Sequence, residues 1–264
     1  MTRMLIAAIS GWGKSYLMQS VMEENVRESD HEGLIVMDFK DEYRGLVKAG
    51  YCSHAIVGPR EAAASVGAWK EQLQTEPYIV LARLESMSPD DWRTACASIM
   101  LAARRLDRNV LVAIDEAHFV APNRGSIPDA IKGLATTGRG EGASSLWTTQ
   151  RIARLDTTVT SQTDAAILGA FRDKNDLSRI EGTIEYTADV HKPGGVPVHG
   201  SMPETIHAPD EGAISVRKWE EDGSPIGSEW IYSDESGEMR RIDTRNVSMD
   251  ATHYGPPGNT IALP

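Results

Sequence analysis

The sequence predicts an α/β fold with a mainly parallel sheet and helices on both faces, and three observations predict it. Short apolar runs alternate with helical patterns from Met4 to Gly182. A glycine turn ending in Lys14-Ser15 sits between the first apolar run and the first helical pattern. A later run, Asn109-Val110-Leu111-Val112-Ala113-Ile114, ends in the paired acids Asp115-Glu116. Strands covered on both faces read as continuous apolar stretches rather than as an in-out alternation, and these runs do so.

The elements follow in order. Met4-Leu5-Ile6-Ala7-Ala8-Ile9 is a first strand, and Tyr16 to Arg27 a helix turning Leu17, Met18, Val21 and Met22 inward. Gly33 to Asp38 is a buried strand ending in a carboxylate, and His54 to Val57 and Tyr78 to Leu84 are two more around a helical stretch from Ala62 to Leu73. Asp90 to Leu106 places Trp92, Ala95, Cys96, Ile99, Ala103 and Leu106 on one helical face, with Ser88 or Asp90 as its cap. Ser145 to Thr149 and Ala165 to Phe171 add two strands, each followed by a polar stretch with helical potential. Beyond Gly182 proline and glycine become frequent and helical periodicity disappears. Ala213 to Trp219 and Glu229 to Ser233 read as strands joined through Asp222-Gly223, with Glu238 to Asp243 as a third and a loose end from about Met249 to Pro264. The expected organisation is therefore a core over 1–182 and, over 183–264, an irregular arm with a β-hairpin element.

A net charge of −11 over 264 residues argues against a generally basic nucleic-acid binder. The excess is concentrated late: from Thr183 onward 14 acids face 6 basic residues, against 24 and 21 before it, so a basic lining can still exist in the core. Lysine is scarce, 8 against 19 arginines, a balance shared by proteins of salt-rich cytoplasm and by ordinary acidic ones. No apolar run approaches the roughly 18 to 20 residues of a membrane helix, so a soluble cytoplasmic protein without an integral membrane segment is expected. Cys52 and Cys96 lack metal-ligand spacing and are too few for a disulfide scaffold, which agrees with a reducing compartment.

The segment Ser10-Gly11-Trp12-Gly13-Lys14-Ser15-Tyr16 has the parts of a phosphate-binding P-loop. Backbone N–H groups point inward, the helix start adds its positive end, Lys14 reaches the β- and γ-phosphates, and the Ser15 hydroxyl ligates Mg²⁺. Ala8 stands where the pattern has its first glycine. Asp115 is placed to hold Mg²⁺ through water, and Glu116 to polarise an attacking water. Asp115-Glu116-Ala117-His118 also spells the DEAH box of helicases, but those need a second nucleotide-type domain and too little chain follows. His118 reads as a strand-exit residue.

Two more segments extend the pattern. Asp38-Phe39-Lys40-Asp41-Glu42-Tyr43 looks like an Asp-x-x-Gly-Glu-Tyr motif with Asp41 at the glycine, and Arg139 to Arg151 gives an arginine, small residues, an apolar strand and Thr149-Gln150-Arg151. With these four motifs in order over residues 4 to 182, the chain resembles the HerA/FtsK superfamily of DNA-pumping ATPases. The resemblance implies a RecA-like P-loop NTPase of the class with an added catalytic glutamate. It implies ATP and Mg²⁺ as cofactors, and a homo-oligomeric ring, a hexamer, threading double-stranded DNA. Gln150 would sense the γ-phosphate or the attacking water, or else cap its loop. Arg139 would act across a subunit boundary, with Arg151 and Arg172 as competitors. Lys40 and Glu42 read as a salt bridge near the P-loop, Asn123-Arg124-Gly125 as a pore-facing loop, and Arg104, Arg105 and Arg108 as helix-end cations. The small size, with a start close to the first strand, resembles packaging ATPases of archaeal viruses and ATPases of mobile-element transfer, with a viral or membrane-associated partner. The competing class is a nucleotide-dependent assembly or membrane-partner switch without DNA pumping.

Overall fold

The apolar runs become strands of one sheet in the computed structural model, which describes residues 2–28 and 31–254. They are β1 (Arg3–Ala7), β2 (Leu34–Asp38), β3 (Ser53–Val57), β4 (Tyr78–Arg83), β5 (Val110–Ile114), β6 (Ala143–Thr149) and β7 (Ala165–Leu168), followed by β8 (Lys218–Glu221), β9 (Ser224–Asp234) and β10 (Met239–Asp243). The order is β10-β9-β7-β1-β6-β5-β2-β4-β3, with β8 paired to β9. From β7 to β3 every pairing is parallel, while β9 joins β7 and β10 joins β9 antiparallel. This is an α/β, RecA-like arrangement with a small C-terminal strand extension.

Both faces of the sheet are covered. Ile35 and Met37 point into a core with Trp69, Leu73, Trp92, Ile99 and Leu134 from the helices Val66–Thr75, Pro89–Ala103 and Asp129–Thr136. Leu34 and Val36 point the other way, toward Met18 and Met22 of the helix Lys14–Glu28 and toward Tyr43, Leu46 and Trp230. Two apolar faces remove the polar alternation that a half-exposed strand would carry.

Several boundaries differ from the expected ones for local reasons. The helical stretch expected from Ala62 to Leu73 breaks into Pro59–Ala62 and Val66–Thr75, because Ser65 caps the second piece by accepting from the Ala68 N–H at 3.1 Å. Ser88 caps Pro89–Ala103 in the same way, accepting from the Asp91 N–H. The helix Asp129–Thr136 was not expected at all.

Beyond Gly182 the chain adds to the main sheet. Trp230 and Ile231 of β9 are fully buried against it. The first late strand begins at Lys218 rather than Ala213, because Val216 is engaged by main-chain bonds with Val190 and Gly194 instead. Asp222 and Gly223 join β8 to β9 with φ of 48° and 76°, the left-handed pair that a tight hairpin turn requires. Of the expected loose end, residues 249–254 lie against the helix Lys14–Glu28, and 255–264 fall outside the described residues.

Candidate functional site

Parallel strands present their carboxyl ends on one edge, and the motif residues gather there. β6 lies between β1 and β5, and β2 follows β5, so the P-loop, Asp115-Glu116 and the turn after Asp38 come from neighbouring strand tips. Gly11 and Gly13 adopt φ of 72° and 93°, conformations that a side chain would strain. Ala8 is fully buried, and its methyl is accommodated from the neighbouring strand: a Cβ on Gly169 would stand 2.8 Å from Ala8 Cβ and 2.4 Å from the Trp12 ring. The indole of Trp12 is buried there and donates to the Glu229 carbonyl at 3.0 Å, while the Ser228 hydroxyl donates to the Trp12 carbonyl at 2.7 Å. Trp12 thus fastens the loop to β9 through its side chain, and only its backbone is left for a ligand.

The loop opens on a cavity of about 800 Å³ lined by Ser10 to Tyr16, Lys40, Glu42, Asp115, Glu116 and a C-terminal group including Lys218, Ile226 and His253. Lys14 donates to the Ile9 carbonyl at 3.2 Å; burial lowers its pKa, while Glu116 and Asp115 pull it back up. Asp115 accepts from the Thr148 hydroxyl at 3.1 Å through one oxygen, and its other oxygen is buried without a hydrogen-bond partner. Burial pushes its pKa well up, with Glu116, Asp38 and Glu42 adding repulsion. Glu116 has a left-handed backbone, φ 44°, which holds its carboxylate at the cavity. One Glu116 oxygen accepts from Lys40 Nζ, and the other has no hydrogen-bond partner. His118 Nδ1 lies 3.3 Å from that oxygen and 3.1 Å from the Thr149 hydroxyl, and burial lowers the pKa of the imidazole. Two orphaned carboxylate oxygens beside a phosphate-binding turn call for a cation or water between them.

The turn after β2 is organised by Asp38, whose carboxylate accepts from the Lys40 and Tyr43 N–H groups at 3.2 and 2.9 Å. Burial raises its pKa to about 7 despite those bonds. Asp41 takes φ 60°, a conformation that favours glycine, and is held there by Arg44 and His54. The expected salt bridge of Lys40 does form, and its partner is Glu116 rather than Glu42.

The remaining candidates lie elsewhere. Gln150 is half-buried at the tip of β6, between β1 and β5, and is not among the cavity-lining residues. Arg139 precedes β6 at the opposite edge of the sheet, 3.8 Å from Asp164 and 3.9 Å from Glu235. Arg151 pairs with Asp173 and Asp176, and Arg172 is exposed just past the tip of β7. Arg104 is engaged by Glu141 at 2.6 Å as a structural cation. Lys218, Ile226, Thr244 and His253 line the cavity without having been expected there. Three of the chain's 8 lysines, Lys14, Lys40 and Lys218, line this one cavity, a gathering of cations made by the fold.

By sequence, no family model and no curated protein matches the chain. By structure, it is similar to the genome packaging NTPase B204 of Sulfolobus turreted icosahedral virus 2 in complex with AMPPCP. That match has a TM-score of 0.59 at 16% identity, covering 91% of this chain and 96% of that one. VirB4 of Thermoanaerobacter pseudethanolicus gives 0.52 at 11% identity over 72% and 82%. EssC (ATPases 2 and 3) of Geobacillus thermodenitrificans gives 0.51 at 11% over 95% and 41%. At these identities the likeness to B204, VirB4 and EssC is one of fold.

Proposed function

We propose that this protein is a Mg²⁺-dependent ATPase whose turnover drives double-stranded DNA through a homo-oligomeric ring, a hexamer, in genome packaging or DNA transfer. The observation that carries the reading is the convergence of Lys14, Ser15, Asp115 and Glu116 on one cavity, with two carboxylate oxygens lacking partners. Those residues fit Mg²⁺ and a nucleoside triphosphate. Ser15 and Asp115 would hold the metal, which supplies charge neutralisation to the phosphates when bound.

The same proposal gives the chain's own residues their parts. N–H groups of the glycine turn and the first helical turn orient phosphate oxygens, and Lys14 neutralises them. Glu116, buried and beside Lys40, takes the proton of an attacking water at its free oxygen. Gln150, at the intervening strand tip but outside the cavity lining, would turn its amide inward to orient that water or the terminal phosphate. Arg139 is supported only as a residue acting on a neighbouring copy. For DNA, Arg124 is exposed on a loop whose neighbour Asn123 donates to the Ala153 and Arg154 carbonyls, bringing exposed Arg154 alongside. Similarity to a packaging NTPase favours the pumping reading over a nucleotide switch. Among the described residues no helix is long and apolar enough to cross a membrane. Action in the host cytoplasm, with any viral or membrane partner bound peripherally, belongs to the same proposal.

The test is hydrolysis by the purified chain with and without double-stranded DNA, at low and high salt. Stimulation by DNA is expected, and an unchanged rate from assembled rings overturns the motor. Glu116→Gln should retain ATP binding while lowering turnover at least ~10²-fold; preserved turnover removes Glu116 as the base.

A further inference from the structure

The phosphate end of the cavity is accounted for by Ser10 to Ser15 and the acids, whereas its remaining wall comes from the C-terminal part of the chain. In a P-loop the backbone cradles the α- and β-phosphates and the lysine reaches the β- and γ-phosphates, so the nucleoside leaves the loop past the serine end. Here that end is Tyr16. Its ring meets His253 edge-on, with centroids 6.0 Å apart, and its hydroxyl donates to the Val247 carbonyl at 3.0 Å. The chain around it is fastened to the helix that begins in the loop. Gln19 donates to the Ala251 carbonyl at 3.0 Å, its Oε1 lies 3.0 Å from His253 Nδ1, and Glu23 accepts from the Asp250 and Ala251 N–H groups. A Cβ on Gly45 would stand 2.0 Å from the Thr252 carbonyl oxygen, so the segment is pressed directly onto backbone.

Across the cavity stands the β8–β9 hairpin. Pro225, Ile226 and Gly227 line it, and Ser228 Oγ lies 3.5 Å from where a Gly13 Cβ would be. Among the described residues Ile226 is the most exposed large apolar side chain, at 51%. An apolar side chain lining one cavity with a histidine and a tyrosine suits a flat heteroaromatic ring.

Resting on the nucleotide reading, we propose that the C-terminal segment builds a nucleobase subsite in cis. A purine ring lies between Pro225-Ile226 on one side and His253-Tyr254 on the other. Burial disfavours protonation of His253, which favours its ring as a stacking surface.

The proposal is tested by titrating the full chain with ATP and with inorganic tripolyphosphate, for the wild type and for Ile226→Ala and Tyr254→Ala separately. Ile226 is half in solvent, so its truncation leaves the core intact, and circular dichroism verifies folding of both variants. The wild type should prefer ATP, and each variant should lose roughly tenfold in ATP affinity with tripolyphosphate changed less than about twofold. Equal loss for both ligands, or unchanged ATP affinity in folded variants, overturns the subsite. A wild type binding ATP and tripolyphosphate equally overturns the subsite while leaving the phosphate site standing. A wild type binding neither overturns both.

Discussion

Single side chains in this protein do more to define backbone than to meet ligands. Trp12 lies inside the phosphate-binding motif, yet its ring is a buried anchor against Gly169 and Glu229. His191 is a comparable case: its Nδ1–H donates to the Gly169 carbonyl at 2.7 Å, Nε2 faces the Tyr186 hydroxyl at 3.0 Å, and burial lowers its pKa to about 4. Because the folded pKa lies below the unfolded value near 6.5, the unfolded chain binds the extra proton between those limits. Stability contributed by neutral His191 is therefore complete above about pH 6.5 and lost as pH falls toward 4, on the order of 3 kcal/mol. Urea unfolding at pH 7 and 4.5 should show that fall in the wild type and a shallower one in His191→Gln. Equal slopes would mean that His191 is protonated in the native state.

At the scale of elements, the junction between the P-loop and β7 leaves no room for a side chain at Gly169. Gly169→Ala puts a methyl into Trp12 and Ala8, an overpacking that should cost about 1–3 kcal/mol and weaken ATP binding through the displaced loop. Adding Trp12→Leu should recover part of the loss, and strictly additive melting temperatures would show that the two sites are uncoupled. The same junction marks the limit of what local sequence conveys. Buried strands ending in Asp38 and Asp115, and the turn ending in Lys14-Ser15, were legible because continuous apolar runs and left-handed glycines are local properties. Asp41 was legible as a departure, and its φ of 60° supplies the reason a glycine serves there. The Lys40–Glu116 pair, the seating of Ala8 against Gly169 and the wall made by Ile226 and His253 were not, since each joins distant parts of the chain. The Asp129–Thr136 helix was missed because it follows the glycine- and proline-bearing stretch Pro122 to Pro128, which reads as loop.

For the molecule as a whole, the sheet separates Arg139 from the cavity. Arg139 stands before β6 and the cavity beyond it, with seven residues between, about 20 Å of strand. Its guanidinium is 50% exposed and cannot reach the cavity of its own chain, so any contact with a nucleotide is made in another copy. Mixing Arg139→Ala with Lys14→Ala chains should restore hydrolysis that neither has alone; failure to do so in assembled mixtures assigns the finger to Arg151 or Arg172, or to none.

The Ser228 hydroxyl bonded to the Trp12 carbonyl has a mechanical meaning as well. It places the phosphate turn in series with β9, which is itself laced to β10, the outermost strand on that side. A load applied along that rim is transmitted to the turn through a few stiff links, without passing through the helices. With the indole of Trp12 bonded to the Glu229 carbonyl beside it, the turn and the rim are tied at two points and shift together.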